Sequence, residues 1–231
     1  EILIGLVGSE MCIRDRRWFA VSGEINAAFD EDDVKAGNDR IAVDADHVVA
    51  LWNGGNLRAD IAEGTFGAEA LAEVLPFPNK VAVVYMTGAQ LLETLEAASQ
   101  GLPYTAETAD ACASLMQVSG LTYTVDTTKA YDALEAYGDH WFTAGSVSRV
   151  RIDDVNGQPF DAEATYAVVT SNANFNGMDS SYVLKAAAEA NEQSAVTTAV
   201  VRDVVFQFIA AELNHQVGEA YAAPQGRLTI L

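Results

Sequence analysis

An apolar run, Val48-Val49-Ala50-Leu51-Trp52, ends abruptly at Asn53-Gly54-Gly55-Asn56-Leu57-Arg58-Ala59-Asp60-Ile61. Five consecutive apolar residues running into two glycines read as a short buried strand. The stretch after the strand has two readings. Paired glycines at a strand end let backbone N–H groups turn toward a ligand, and such nests favour anions. A guanidinium three residues on, Arg58, can then grip a phosphate or carboxylate with two parallel hydrogen bonds. The same nine residues also describe a tight turn with a surface arginine, and by themselves they do not separate the two.

The chain around this stretch is long enough for one generous domain, or one domain and an appendage, at 231 residues. Half of its residues are hydrophobic, which supplies a core, and no apolar run reaches the ~18 residues of a membrane span. Thirty-three acidic residues against 13 basic ones give a formal charge of −20. Such a surface repels nucleic acid and anionic lipid, so neither is expected as a partner. Cys12 and Cys112 are too few for a disulfide framework or a metal cluster.

Residues 1–16 stand apart. The run Ile2-Leu3-Ile4-Gly5-Leu6-Val7 precedes Gly8-Ser9-Glu10-Met11-Cys12-Ile13-Arg14-Asp15-Arg16. It lacks a positive n-region and puts charges where a cleavage site belongs, so it is not a signal peptide pattern. It is similar to the peptide obtained by translating a sequencing-library adapter and is read as a non-native segment. Residues 17–45, with Asp30-Glu31-Asp32-Asp33, read as an acidic linker or a truncated domain start. From 46 to 231 strand and helix patterns alternate. Strands are expected over 47–52, 80–86, 115–125, 147–155, 165–170 and 227–231, and helices over 67–74, 88–100, 180–190 and 196–213. Asn156-Gly157 is a hairpin signal between the fourth and fifth of those strands. Residues 127–145 read as an inserted loop or short helix whose aromatics serve packing. Helices interleaved with hairpin strands point to an α+β single domain rather than a doubly wound parallel sheet.

The chemistry-bearing residues are sparse. His47, His140 and His215 are isolated, without metal-ligand spacing. There is no Gly-x-Ser-x-Gly elbow, no phosphate-binding Gly-rich loop, and no histidine motif to activate Cys112. No catalytic residue and no metal ligand is assigned.

Several further segments line up with the first: Leu75-Pro76-Phe77-Pro78-Asn79, Met86-Thr87-Gly88-Ala89-Gln90-Leu91-Leu92-Glu93-Thr94-Leu95-Glu96, Leu115-Met116-Gln117-Val118-Ser119-Gly120, residues 165–182, and Gly226-Arg227-Leu228. In that order and at those spacings, 46–231 resembles the C-terminal domain of the 5'-nucleotidase / UDP-sugar hydrolase family. The resemblance implies a substrate-binding domain that holds a nucleoside or nucleotide. An N-terminal metallophosphoesterase domain, outside this chain, would carry a dinuclear divalent metal centre and cut the phosphate ester. It also implies a periplasmic or extracellular location.

Carried over position by position, the resemblance implies a substrate contact for Arg58, beside Asn53, Gly54 and Gly55, and a ribose-binding role for Asp179. The two aromatic clamp positions, which sandwich the base in the family, fall on Leu115, close to Gln117, and on Ala173. Phe175 lies two residues from the second. The family's other substrate-facing arginine has no counterpart in 89–114. From the residues alone, Asp179 is equally an Asx turn or an N-cap for the helix after it. Two functions therefore compete: the substrate-binding domain of a secreted 5'-nucleotidase-type hydrolase, and a non-catalytic binding or structural domain of an exported multidomain protein that has lost the nucleoside clamp. An oxidoreductase or kinase domain is disfavoured by the missing phosphate loops.

Overall fold

The computed structural model describes residues 6–221 and 223–231. Its centre is a five-stranded sheet built from β1 (Val48–Asn53), β2 (Lys80–Thr87), β3 (Met116–Ser119), β8 (Thr165–Ser171) and β9 (Ala195–Val200), in the order β3-β1-β8-β2-β9. Within this sheet only β1 and β8 run parallel, with Val48 opposite Ala167 and Ala50 opposite Val169; the other neighbours are antiparallel. Strand side chains alternate between faces. Val48, Ala50 and Trp52 enter one core, and Val49 and Leu51 enter another. A strand covered on both faces has no position for a polar side chain, which is why β1 is an unbroken apolar run.

The first face is covered by α1 (Leu6–Val21), a 3-10 turn at Glu24–Ala28, α3 (Ala68–Val74) and α8 (Val201–Ala211), which bring in Phe19, Ile25, Leu71 and Val205. The second face meets α4 (Gly88–Ala98), α7 (Tyr182–Ala190) and a three-stranded sheet, β10-β4-β7, of β4 (Leu121–Val125), β7 (Val150–Val155) and β10 (Leu228–Ile230). Thr87 and Gln90 form a reciprocal capping box that starts α4 where β2 stops. A single helical turn, α5 (Ala109–Cys112), lies between α4 and β3. The mixed sheets and helices are the expected α+β class.

Several sequence expectations are corrected. Residues 115–125 are two strands in two sheets, because Gly120, at φ +82°, turns the chain from one to the other. Asn156-Gly157 is a tight turn with two positive φ angles, but it does not pair the strands flanking it: β7 lies in the second sheet and β8 in the first. Residues 196–213 begin as β9, whose β-branched residues pair with β2, before α8 starts at Val201. Residues 127–145 contain a hairpin, β5 (Ala133–Tyr137) with β6 (Trp141–Ala144). Residues 17–45, read as an acidic linker or a truncated domain start, bury Phe19, Ile25 and Phe29 in the first core. The acidic cluster there caps and opens α2 (Glu31–Ala36), where carboxylates complement the free N–H groups of a helix start.

Of the expected non-native segment, residues 1–5 lie outside the described residues, as does the side chain of Cys12. The rest forms most of α1 and places two adjacent ionisable side chains, Asp15 and Arg16, in the interior with no exposure. The Arg16 guanidinium lies 3.7 Å above the Trp52 ring and 3.2 Å from Asp15 Oδ1. Among the described residues, Asp15 Oδ2 and Arg16 Nε and Nη2 find no hydrogen-bond partner. A buried pair satisfied this poorly costs more than an apolar pair of similar size. Burial lifts the Asp15 carboxyl to about 6 from 3.8, so folding favours its protonated form, and that contribution is lost as pH rises through 6. Replacing both residues, Asp15→Leu with Arg16→Met, is expected to stabilise the chain by about 1–4 kcal/mol. The gain should be larger at pH 8 than at pH 4 when measured by urea denaturation.

Candidate functional site

The parallel pair defines one end of the central sheet. β1 finishes at Asn53 and β8 at Ser171, while β2 starts and β3 starts at the same end. Crevices outside the carboxyl ends of parallel strands are where mixed sheets collect ligand-binding loops. Here four segments are tied together by hydrogen bonds. The Gly54 N–H donates to the Leu115 carbonyl and the Gly55 N–H to the Ala113 carbonyl, both at 2.9 Å. The Arg58 N–H donates to the Val74 carbonyl at 3.0 Å, and the Lys80 N–H to Asn172 Oδ1 at 2.8 Å.

These bonds revise the reading of the double glycine. Both N–H groups are spent inside the protein, so Gly54 and Gly55 do not form an anion nest. Gly55 is a glycine for close approach: a Cβ there would sit 2.8 Å from the Ala113 Cβ. The local chain is a 3-10 turn, Gly54–Asn56, that delivers Asn53, Asn56 and Arg58 to one place.

Asn53 is the hub. Its side-chain amide donates to Asp179 Oδ2, and its Oδ1 accepts from the Asn56 amide. Asp179 neither caps a helix nor stands in an ordinary backbone conformation. The helix α7 starts at Tyr182 with Ser181 at its N-cap, and Asp179 sits at φ +55°. Burial pushes its carboxyl above the ordinary aspartate range, against the pull of the Arg58 charge and the Asn53 hydrogen bond. Arg58 is exposed, with its guanidinium carbon 5.5 Å from the centre of the Phe77 ring. Asn53, Arg58 and Asp179 are thus brought together, and Asn56 and Phe77 join them without having been singled out from the sequence. The signal for Phe77 was local: a proline on each side denies it a helix, and it remains 41% exposed.

The remaining sequence candidates face elsewhere. Leu115 is buried in the second core, and its carbonyl, not its side chain, serves the turn. Gln117 is half-buried on β3 opposite Trp52. Ala173 is half-buried in α6 (Asn172–Phe175), and Phe175 packs against the second core. Two cavities of about 580 and 610 Å³ lie away from all of these residues, one beside Arg40 and His47, the other beside Trp18 and Tyr221. Among the described residues no group of three or more His, Cys, Asp and Glu side chains is arranged to hold a metal ion.

The family described as "5'-nucleotidase, C-terminal domain" matches residues 24–186, and the chain belongs to it. It is 30% identical over 128 residues to the trifunctional nucleotide phosphoesterase protein YfkN of Bacillus subtilis (strain 168), covering 54% of this chain and 7% of that one. Its fold is similar to a 5'-nucleotidase precursor from Thermus thermophilus, with a TM-score of 0.64 and 26% identity over 96% of this chain and 35% of that one. The NAD nucleotidase of Haemophilus influenzae shares the fold at a TM-score of 0.59 and 19% identity, over 80% of this chain and 30% of its own. The chain therefore spans a small part of the Bacillus protein and about a third of each solved nucleotidase.

The raised Asp179 carboxyl has a stability consequence. Its protonated form is favoured by folding, so its contribution is fully present below the ordinary value of 3.8 and is lost as pH rises through the higher folded value. Asparagine tolerates a left-handed backbone and carries no charge to bury. Asp179→Asn is expected to raise Tm at pH 8, with the difference closing as pH falls toward 4.

Proposed function

We propose that the chain binds a nucleoside or nucleotide where Asn53, Arg58, Phe77 and Asp179 converge, as the substrate-holding domain of a phosphate-ester hydrolase. The metal centre of that hydrolase belongs to an N-terminal metallophosphoesterase domain. The observation that carries this reading is the Asn53–Asp179 hydrogen bond, within range of the Arg58 charge, at the carboxyl end of the parallel pair. A carboxylate held by an amide can accept both hydroxyls of a ribose. An exposed guanidinium beside it can grip a phosphate or stack on a base. The family membership supports the same assignment.

The aromatic component differs from the family's pattern. Leu115 and Ala173 offer no ring, and Phe175, half-buried, packs against the second core. Phe77 is the exposed ring next to Arg58. A single aromatic face replaces a sandwich, and each stacked face is worth ~1–3 kcal/mol. Affinity is accordingly modest and base discrimination low. The reading includes a periplasmic or extracellular location, which the family resemblance implies. No described helix is long and apolar enough to cross a membrane. The net charge of −20 argues against nucleic acid as a partner.

A second reading, a structural domain without ligand, draws its support from those same two clamp positions. Calorimetric titration of the full chain with adenosine, AMP and UDP-glucose separates them. Saturable heat is expected, weakened about tenfold or more in Arg58→Ala, as for loss of a charge-assisted hydrogen bond. Asp179→Asn should weaken binding while raising Tm, the opposed pair of effects that marks a residue kept for function. A folded wild type that gives no heat with any of the three would sink the binding assignment in favour of the structural one.

A further inference from the structure

The β5–β6 hairpin contributes nothing to either core, and β5 is exposed along most of its length. An isolated two-stranded hairpin is marginal in water, so its fastenings decide whether it has a fixed place. It is fastened to the helices beneath it. The Phe142 N–H donates to Gln100 Oε1 at 2.8 Å, just beyond α4. The Ala144 N–H donates at 2.9 Å to the Tyr182 hydroxyl, which itself donates to Glu93 Oε1 at 3.0 Å. The Tyr137 and Tyr182 rings meet at 5.6 Å.

One further bond leaves the hairpin in another direction. The Tyr137 hydroxyl donates to the Gly177 carbonyl at 2.6 Å, two residues before Asp179. Gly177 has φ +85°, and a Cβ there would overlap the Tyr137 oxygen. Only glycine allows both the backbone conformation and the approach of the phenol. The loop holds a second left-handed residue, Asp179 itself, and a non-glycine residue stays in that region only where its surroundings enforce it. Asn53 grips the loop from the sheet side, and Tyr137 grips it from the hairpin side. Burial and the Glu189 charge push the Tyr137 phenol up, so it remains a donor at neutral pH.

We infer that Tyr137 is a positioning residue: the β5–β6 hairpin is a strap whose single hydroxyl contact holds the 177–179 loop so that Asp179 stays seated on Asn53. The inference builds on the proposed nucleoside site, but the strap has a signature that needs no ligand. Tyr137→Phe keeps the ring on Tyr182 and deletes only the donor. Tyr131→Phe is the control, because its hydroxyl donates to the Phe142 carbonyl within the hairpin, at 2.8 Å, and not to the loop.

In the full chain, Tyr137→Phe is expected to speed amide exchange across 176–181 about fivefold, as loss of one hydrogen bond of ordinary net worth would. It should also move the Asn53 side-chain amide resonances toward those of a free amide, with β2 unaffected. Adenosine Kd should rise by a similar factor, and Tyr131→Phe should leave all three readings in place. Unchanged loop exchange and Asn53 signals in Tyr137→Phe would overturn the strap, as would equal changes in Tyr131→Phe. If loop exchange quickens as expected but the wild type binds no adenosine, the strap stands and the nucleoside assignment falls.

Discussion

The parallel pairing of β1 with β8 is the constraint on which the candidate site depends. The two strands are neighbours in the sheet but lie more than a hundred residues apart in the chain. Because they run the same way, both deliver their following loops to one end. That is how Asn53, at the end of β1, comes to hold Asp179, in the loop after β8. Had β8 run against β1, the 172–181 segment would have emerged at the far end of the sheet. The antiparallel pairing of β1 with β3 accounts for Gly55. The loop after β1 must pass close to the residues preceding β3, and a Cβ on Gly55 would collide with Ala113.

Interior polar groups are treated very differently in two parts of the molecule. Glu96, fully buried on α4, accepts the backbone N–H groups of Arg149 and Val150 at 2.9 to 3.3 Å, so the carboxyl fastens the start of β7 to the helix. Arg149, also buried, donates to the Leu102 carbonyl at 2.8 Å. Each of these groups meets backbone atoms that would otherwise be stranded. Asp15 and Arg16 are served less fully. Asp15 Oδ1 accepts both the backbone N–H and the Nη1 of Arg16, at 2.7 and 3.2 Å. Asp15 Oδ2 and Arg16 Nε and Nη2 find no partner among the described residues, and the guanidinium lies over the Trp52 ring. Three of the buried side-chain atoms without a partner among the described residues belong to this one pair, in the segment whose sequence already stood apart.

Local patterns in the sequence were sufficient for those elements that their own residues define. The β1 run, the valine-rich β2 and the final strand all follow from period and branching. The errors arose where a distant partner decides the outcome. Val196 to Val200 is strand because β2 offers an open edge, a fact absent from the segment itself. Asn156-Gly157 has the dihedral angles of a hairpin turn, yet its flanking strands find better partners in different sheets. At the candidate site, the resemblance singled out Asn53, Arg58 and Asp179, which the structure brings together. Their hydrogen bonding was not legible in the sequence, and neither was the assignment of Leu115 and Phe175 to the core. Side-chain direction there follows from strand register and loop conformation, which residue spacing does not specify.

The charge balance sharpens what a site of this kind can hold. A net charge of −20 repels a nucleotide at long range, but at physiological salt that field fades within about 8 Å of the surface. Inside that distance the local groups govern. They comprise one exposed guanidinium beside a carboxyl that burial has already made reluctant to ionise. A ligand hydroxyl that donates to Asp179 offsets that reluctance, because a hydrogen bond to the charged form favours it. A phosphate approaching the same carboxylate has the opposite effect. On the proposed reading, the arrangement separates the two ends of a nucleotide: hydroxyls toward Asp179 and anionic groups toward Arg58. The Phe77 ring lies beside Arg58, whose guanidinium carbon is 5.5 Å from its centre, where the quadrupole of an aromatic face attracts a cation.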